Sequence, residues 1–479
     1  MKDTDGWNPF QEEERVAPSD NRILRLSGGK DIRVRPLRVP ALSLFSLLTF
    51  FLCLWAAPSF ASPQLETLPD GLKVFILETH GTASVSVDLW VKAGSRYESP
   101  QNNGISHFVE HLLFKGTSKR TAKEISRVIA GVGGLMGATT YWEYTQLHIS
   151  ILPLHLGLAL EILADVARNS LMTEEMIEKE RKVILEEISL ANIYPPSYVL
   201  NLVSQTLFPE NSLGMPISGT AGTVKALQRN DLIQFYQRHY VANNAFLTVV
   251  GNVDSQTVRA SIRENFNSWP KKDPPPSSFF PPPRQSKFKE VKERKFLDQA
   301  IVVVALQAMG RNDLDRPTFE VINAILGSGG NSRLYQEIRE KRGLAYLVGS
   351  LYHPLSDTGF WGTYAGTHPK NIKQVQSIIF QEFQRIRQEP LSPQELDEIK
   401  NYIRGRTLIR NETNGALADF VASGLLDGSW ELPGEFITKV QAVTAEDVLR
   451  VARTYLRHDQ LNVIILKPYP GLTLFRGLL

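Results

Sequence analysis

The sequence predicts an α+β fold of two homologous domains, each with helices packed on a mostly antiparallel sheet, preceded by a signal or anchor segment. Three observations lead there. Strand-like and helix-like patterns alternate along the chain. Two long stretches repeat at a fixed offset. A proline-rich segment separates the two halves.

The alternation is clearest in two places. ASVSVDLWVKA, ending at Ala93, alternates as a half-buried strand does. TEEMIEKERKVILEEISLANI, from Thr173 to Ile193, is predicted as a helix. Thr173 is its cap, and Met176, Ile177, Val183, Ile184 and Ile188 are its apolar positions.

The repeat relates VKALQRNDLIQFYQRHYVANNAFLTVVGNV, from Val224, to VQAVTAEDVLRVARTYLRHDQLNVIILKP, from Val440, an offset of 216 residues. In each, an aspartate (Asp231, Asp447) opens a helical pattern and an apolar strand follows. The same offset carries Gly94 onto Gly310. A repeat of this length indicates a duplicated domain.

The divider is PPPSSFFPPP at 274–283, with six prolines in ten residues. Such a stretch is neither a helix nor a central strand; it is an extended linker. The expected boundaries are an N-terminal extension over 1–61, a first domain over 62–270, a linker over 271–287 and a second domain over 288–472.

Residues 41–57 form an uncharged apolar run, with Arg33, Arg35 and Arg38 before it and Ser59-Phe60-Ala61 after it. A basic flank, an apolar stretch and a small-x-small site make a secretory signal. Cleavage after Ala61, or retention as an inner-membrane anchor, would place the protein in the periplasm or on the outer face of the inner membrane. Cys53, the only cysteine, lies inside that run. The remainder is free of cysteine, so any metal there must be held by histidines and carboxylates. The formal net charge is +3, and no basic run interleaves with aromatics, which excludes nucleic acid as the expected partner.

The chemistry-bearing motif is His107-Phe108-Val109-Glu110-His111. On a helix, i, i+3 and i+4 share a face, so both imidazoles can aim at one point with Glu110 beside them. This is the H-x-x-E-H pattern of a zinc hydrolase. A catalytic zinc takes three protein ligands and keeps an open position. The helix of 173–193 is the best source of the third. Glu180 and Glu187 stand on one of its faces, and Glu186 is turned about 100° away. The glycines of GVGGLMG and GSGGNS lack the Lys-Ser/Thr of a phosphate loop and are read as turns.

HFVEHLLFKGT, ERKVILEE and SRLYQEIREKRGLAY together resemble the pitrilysin/insulysin family of metallopeptidases. The likeness is to its two-domain branch, that of the mitochondrial processing peptidase and its bacterial relatives. It covers nearly all of 64–470. It implies one Zn²⁺ per chain on His107, His111 and Glu187, with Glu110 as general base and Glu180 orienting the site. It also implies that Arg339 and Tyr346 of the second domain hold substrate near the metal. The family pairs substrate backbone with an edge strand carrying Asn-Ala; here Gly137 stands in place of that Asn, followed by Ala138. With the 216 offset, His107, Glu110 and His111 fall on Asn323, Leu326 and Gly327, so no second metal site is expected.

The resemblance implies a zinc endopeptidase acting on peptides or unfolded segments enclosed in a dimeric chamber, built as a homodimer or with a related subunit. The rival expectation is a non-catalytic structural or peptide-binding subunit of the same fold.

Overall fold

The computed structural model describes residues 62–267, 269–273 and 285–469. The apolar run 41–57, the expected cleavage point at Ala61 and the prolines of 274–283 lie outside the described residues. Among the described residues, no helix is long and apolar enough to cross a membrane.

Two sheets organise the chain. The first holds β1 (Gln64–Thr67), β2 (Lys73–Glu78), β3 (Val85–Val91), β4 (Leu135–Thr140), β5 (Thr145–Ile151) and β6 (Ala245–Gly251). The second holds β7 (Lys289–Lys295), β8 (Ala300–Ala308), β9 (Ala345–Pro354), β10 (Gly359–Thr367) and β11 (Asn462–Pro468). Their orders are β1-β2-β6-β3-β5-β4 and β7-β11-β8-β10-β9. Apart from β1, the second sheet repeats the first strand for strand. The β2–β6 and β7–β11 pairs are parallel, and the other pairs are antiparallel. The fold is α+β with two related halves.

The repeat holds in detail. Helix Arg229–His239 corresponds to Ala445–Tyr455 at the same offset of 216. A Cβ on Gly94 would meet the carbonyl oxygens of Tyr141 and Trp142, at 2.4 and 2.6 Å. A Cβ on Gly310 would meet Ser356 O and Asp357 C, at 2.8 and 3.0 Å. Both glycines let a strand end approach the backbone of the opposing hairpin.

β3 departs from the sequence expectation. All seven of its residues are buried, so it is not a half-buried strand. The reason is a helix from the other half. Leu417, Ala418 and Val421 of Asn414–Leu425 pack on Phe75, Trp90 and Phe246, on the face an isolated domain would leave to water. The polar residues of that face bond internally. Ser86 Oγ donates to Asp88 at 2.9 Å, and Gln146 Nε2 donates to Asp88 at 3.2 Å and to Asp419 at 2.8 Å. The exchange is reciprocal: Val199, Leu202, Val203 and Leu207 of helix Pro195–Leu207 pack with Val303, Ala305 and Ile464 of the second sheet.

Between the halves, Glu143 sits in the hairpin joining β4 to β5. Arg96 Nη1 reaches it at 2.7 Å and Arg311 Nη2 at 2.5 Å, and all three are buried. Arg311 Nε also binds Asp427 at 2.8 Å.

Candidate active site

His107, Glu110 and His111 lie on helix Ile105–Leu113. Phe108, Val109, Leu112 and Leu113 bury its other side in the core of the first sheet. The helix starts at Gly104, whose φ of +94° favours glycine. Glu98 serves its open N–H groups: its carboxylate accepts from Gly104 N at 2.7 Å and Ser106 N at 2.9 Å. Burial pushes the Glu98 carboxyl above the usual range, against those hydrogen bonds.

The second element is helix Glu174–Ile193, capped by Thr173 Oγ1, which accepts from Met176 N at 3.3 Å. Ile177, Ile184 and Ile188 are buried, whereas Val183, an expected apolar position, is 41% exposed. Arg181 ties this helix to the first. Its guanidinium lies 5.2 Å from the centre of the Phe108 ring and donates to Leu227 O at 2.9 Å.

These helices bring His107, His111 and Glu187 together. One ligand atom from each lies within 4.8 Å of the others, and among the described residues this is the one such group of His, Cys, Asp or Glu. Glu187 Oε2 is 3.7 Å from His107 Nε2 and 3.4 Å from His111 Nε2. Glu186 is exposed. Glu180, two turns before Glu187, reaches the opposite ring nitrogen: its Oε2 is 3.3 Å from His111 Nδ1. Lys115 Nζ lies 2.9 Å from the other oxygen of Glu180. Burial, with the nearby His111 adding, pushes the His107 imidazole down to about 3, so its ring is neutral near pH 7.

Glu110 stands beside the cluster, its Oε2 4.0 Å from His107 Nε2. Thr140 Oγ1 donates to that oxygen at 3.3 Å. Burial pushes the Glu110 carboxyl above its ordinary range, which would suit a general base.

The cluster opens into a cavity of about 520 Å³. Ala138, Thr139 and Thr140 of β4 line one side. β4 is the edge strand of its sheet, and among the described residues no strand pairs with its outer side, which leaves that side open to an added strand. Gly137 faces the His148 ring: a Cβ there would come within 2.6 Å of Cε1, so a larger residue would displace the imidazole.

Arg339 and Tyr346 are brought to each other but not to the lining of this cavity. Arg339 Nη1 donates to Tyr346 O at 3.0 Å, and its guanidinium lies 4.3 Å from the centre of the Tyr346 ring. Tyr346 is the second residue of the edge strand β9 of the second sheet and is 74% exposed. At the positions matching the histidine motif, Asn323 Oδ1 accepts from Ser350 Oγ at 2.6 Å and Trp361 Nε1 at 2.9 Å. A Cβ on Gly327 would meet Ser350 Cβ at 2.5 Å.

Sequence reasoning missed Glu98, Thr140, Lys115 and the cavity wall supplied by helix Pro195–Leu207. Glu98 carried a faint signal, a carboxylate shortly before the glycine that opens the metal-motif helix; the others carried none.

The same architecture appears in known proteins. The family described as "Insulinase (Peptidase family M16)" matches residues 73–221, and "Peptidase M16 inactive domain" matches residues 226–403. This chain belongs to peptidase family M16. It is 36% identical over 405 residues to "Uncharacterized zinc protease SCO5738" of Streptomyces coelicolor, spanning 83% of this chain and 88% of that one. To "Uncharacterized zinc protease YmxG" of Bacillus subtilis it is 30% identical over 400 residues, spanning 83% and 97%. The crystal structure of a protease from Helicobacter pylori superposes with a TM-score of 0.82 at 24% identity, over 85% of this chain and all of that one, a likeness of fold.

The donor set of this M16 chain fits zinc. Two imidazole nitrogens and one carboxylate oxygen converge, with no sulfur ligand required. Glu180 at Nδ1 of His111 would hold that proton and leave the Nε2 lone pair facing Glu187. Nδ1 of His107 is buried without a partner, so that ring has no equivalent orienting group among the described residues.

Proposed function

We propose that this chain is a zinc-dependent endopeptidase that hydrolyses peptides or unfolded protein segments. The observation that carries the reading is the convergence of His107, His111 and Glu187 with Glu110 at its side. Bound there, zinc would supply the Lewis acidity that polarises a scissile carbonyl and acidifies a water. Glu110 accepts the proton of the attacking water and delivers it to the leaving amine. Thr140 keeps the Glu110 carboxylate turned towards the cluster through its hydrogen bond. Glu180 and Lys115 hold His111 in place. An extended peptide would add to the free edge of β4, its backbone pairing with residues near Ala138.

The proposal includes a chamber closed by a second chain, either another copy or a related subunit, with Arg339 and Tyr346 holding substrate near the metal. The family resemblance of the sequence supports this, as does the stacking of half-buried Arg339 on the exposed Tyr346 of edge strand β9. It also includes export to the periplasm or the outer face of the inner membrane. The apolar run 41–57, its basic flank and the cysteine-free remainder support that.

The test is Glu110→Gln. The variant should retain zinc, measured by metal analysis, and lose more than about a hundredfold in turnover of an unfolded peptide, the scale of a general base. Substantial residual turnover would assign the base elsewhere. Zinc-loaded wild-type protein that cleaves no peptide would favour the non-catalytic subunit.

A further inference from the structure

Helix Pro195–Leu207 turns two faces to two different partners. Val199, Leu202 and Val203 belong to the core with the second sheet. Ser197, Leu200, Asn201 and Ser204, spaced at i, i+3, i+4 and i+7, line the cavity that holds the His107–His111–Glu187 cluster.

Two polar groups on this second face have no protein partner among the described residues. The Asn201 side chain is half-buried and makes no hydrogen bond among the described residues. Ser204, one turn further on, is 3% exposed, and its Oγ has no partner. A buried serine on a helix usually bonds back to the carbonyl four residues earlier. Thr206 does so, donating to Leu202 O at 2.6 Å, and Ser204 does not. Leaving a buried polar group unpaired costs about 1–3 kcal/mol. That cost would be recovered if a ligand ordered the neighbouring Asn201 amide or reached the hydroxyl itself.

The surroundings restrict the ligand. Trp142, Leu200, Met215 and Ile217 supply apolar walls. Apart from the metal cluster and Glu110, no charged side chain among the described residues lines the cavity. A lysine, arginine, aspartate or glutamate side chain desolvated against these walls would find no counter-charge beyond the groups already committed to the reaction.

We infer that this wall is a subsite for an uncharged substrate side chain with an apolar body and a hydrogen-bonding tip, tyrosine or glutamine, at one of the two residues flanking the scissile bond. The tip is read by the Asn201 amide, which can donate or accept, with the Ser204 hydroxyl behind it. The inference rests on the peptidase reading and names the substrate class of that same site.

The experiment uses the zinc-loaded full chain and matched peptides that differ only at the residues flanking one cleavable bond. These carry tyrosine, glutamine, phenylalanine, lysine, glutamate or, as a reference, alanine. Tyrosine should exceed phenylalanine about tenfold in kcat/KM, the worth of one hydrogen bond of about 1.4 kcal/mol. Lysine and glutamate should fall below alanine. Asn201→Leu, close in volume, should abolish the tyrosine–phenylalanine difference. A second readout is independent of turnover: the Kd of the tyrosine and phenylalanine peptides for Glu110→Gln protein, measured by fluorescence, should differ in the same sense. Cleavage of all six peptides with equal tyrosine and phenylalanine rates, or with lysine or glutamate preferred, overturns the subsite alone. No cleavage of any peptide, the alanine reference included, overturns the peptidase reading and this inference with it. The wild-type comparison stands even if Asn201→Leu fails to fold.

Discussion

Glu180 Oε2 lies 3.3 Å from His111 Nδ1, on the side of the ring away from Glu187, whose Oε2 is 3.4 Å from Nε2. One helix therefore meets both nitrogens of one imidazole with two carboxylates seven residues apart. The first is placed to hold a proton on Nδ1, and the second, with Nε2, would serve as a metal ligand. Glu180 is 2% exposed and also paired with Lys115.

Glu180→Gln should weaken zinc binding without removing it. The amide oxygen still accepts from His111 Nδ1, but the charge is gone. The expected loss is about tenfold to a hundredfold in affinity, read by competition with a chelator. Unchanged affinity would show that Lys115 and the helix packing orient His111 without Glu180.

His107→Ala and Glu187→Gln should each lose metal and activity together, and the wild-type chain should hold about one zinc. Metal analysis after dialysis checks both. Full zinc occupancy in Glu187→Gln would put the third ligand on another acid.

Glu143→Gln should destabilise the junction of the two halves. Arg96 and Arg311 both point at this carboxylate and are buried with it. Removing one partner of a buried ion pair costs about 3–5 kcal/mol, because the remaining charges are left uncompensated. A lowered urea midpoint is the expected outcome. A midpoint equal to that of the wild type would mean that water or Asp427 and Asp357 take over both guanidinium groups.

Asp88 makes stability depend on pH. Burial pushes its carboxyl up to about 7, against the Ser86 hydrogen bond and helped by the neighbouring Asp419. Between about pH 4 and 7 the folded chain keeps a proton that the unfolded chain has released. The stabilisation tied to that proton is complete below the unfolded pKa and is lost as pH rises through the folded one. Asp88→Asn keeps an acceptor for Gln146 and carries no charge at any pH. The variant should match the wild type near pH 4 and exceed it increasingly up to about pH 7, by a few kcal/mol at roughly 1.4 kcal/mol per pKa unit. The gap should then level off. Chemical unfolding at a series of pH values reads this, and a gap independent of pH would show that Asp88 stays ionised in the fold.

By itself, the sequence determined what short-range periodicity encodes. The i, i+3, i+4 spacing put His107, Glu110 and His111 on one helix face, because 3.6 residues make a turn wherever a helix forms. The alternating acids and isoleucines of 174–193 fixed that helix and put Glu180 and Glu187 on one side of it. The offset of 216 residues was readable because duplicated elements keep their patterns. Spacing could not say which acid faces which nitrogen.

Only the tertiary structure decided the contacts between residues far apart in sequence. β3 alternates like a strand with one wet face, yet it is buried throughout, since helix Asn414–Leu425 arrives from more than 300 residues away. Helix Pro195–Leu207 has an unremarkable pattern, yet it divides between the second sheet's core and the cavity wall. Arg311 on Glu143 is likewise a pairing across space. Local pattern reports how a segment orders its own faces. It does not report what covers them, because burial and charge pairing are settled by whichever surface packs there once the chain has closed on itself.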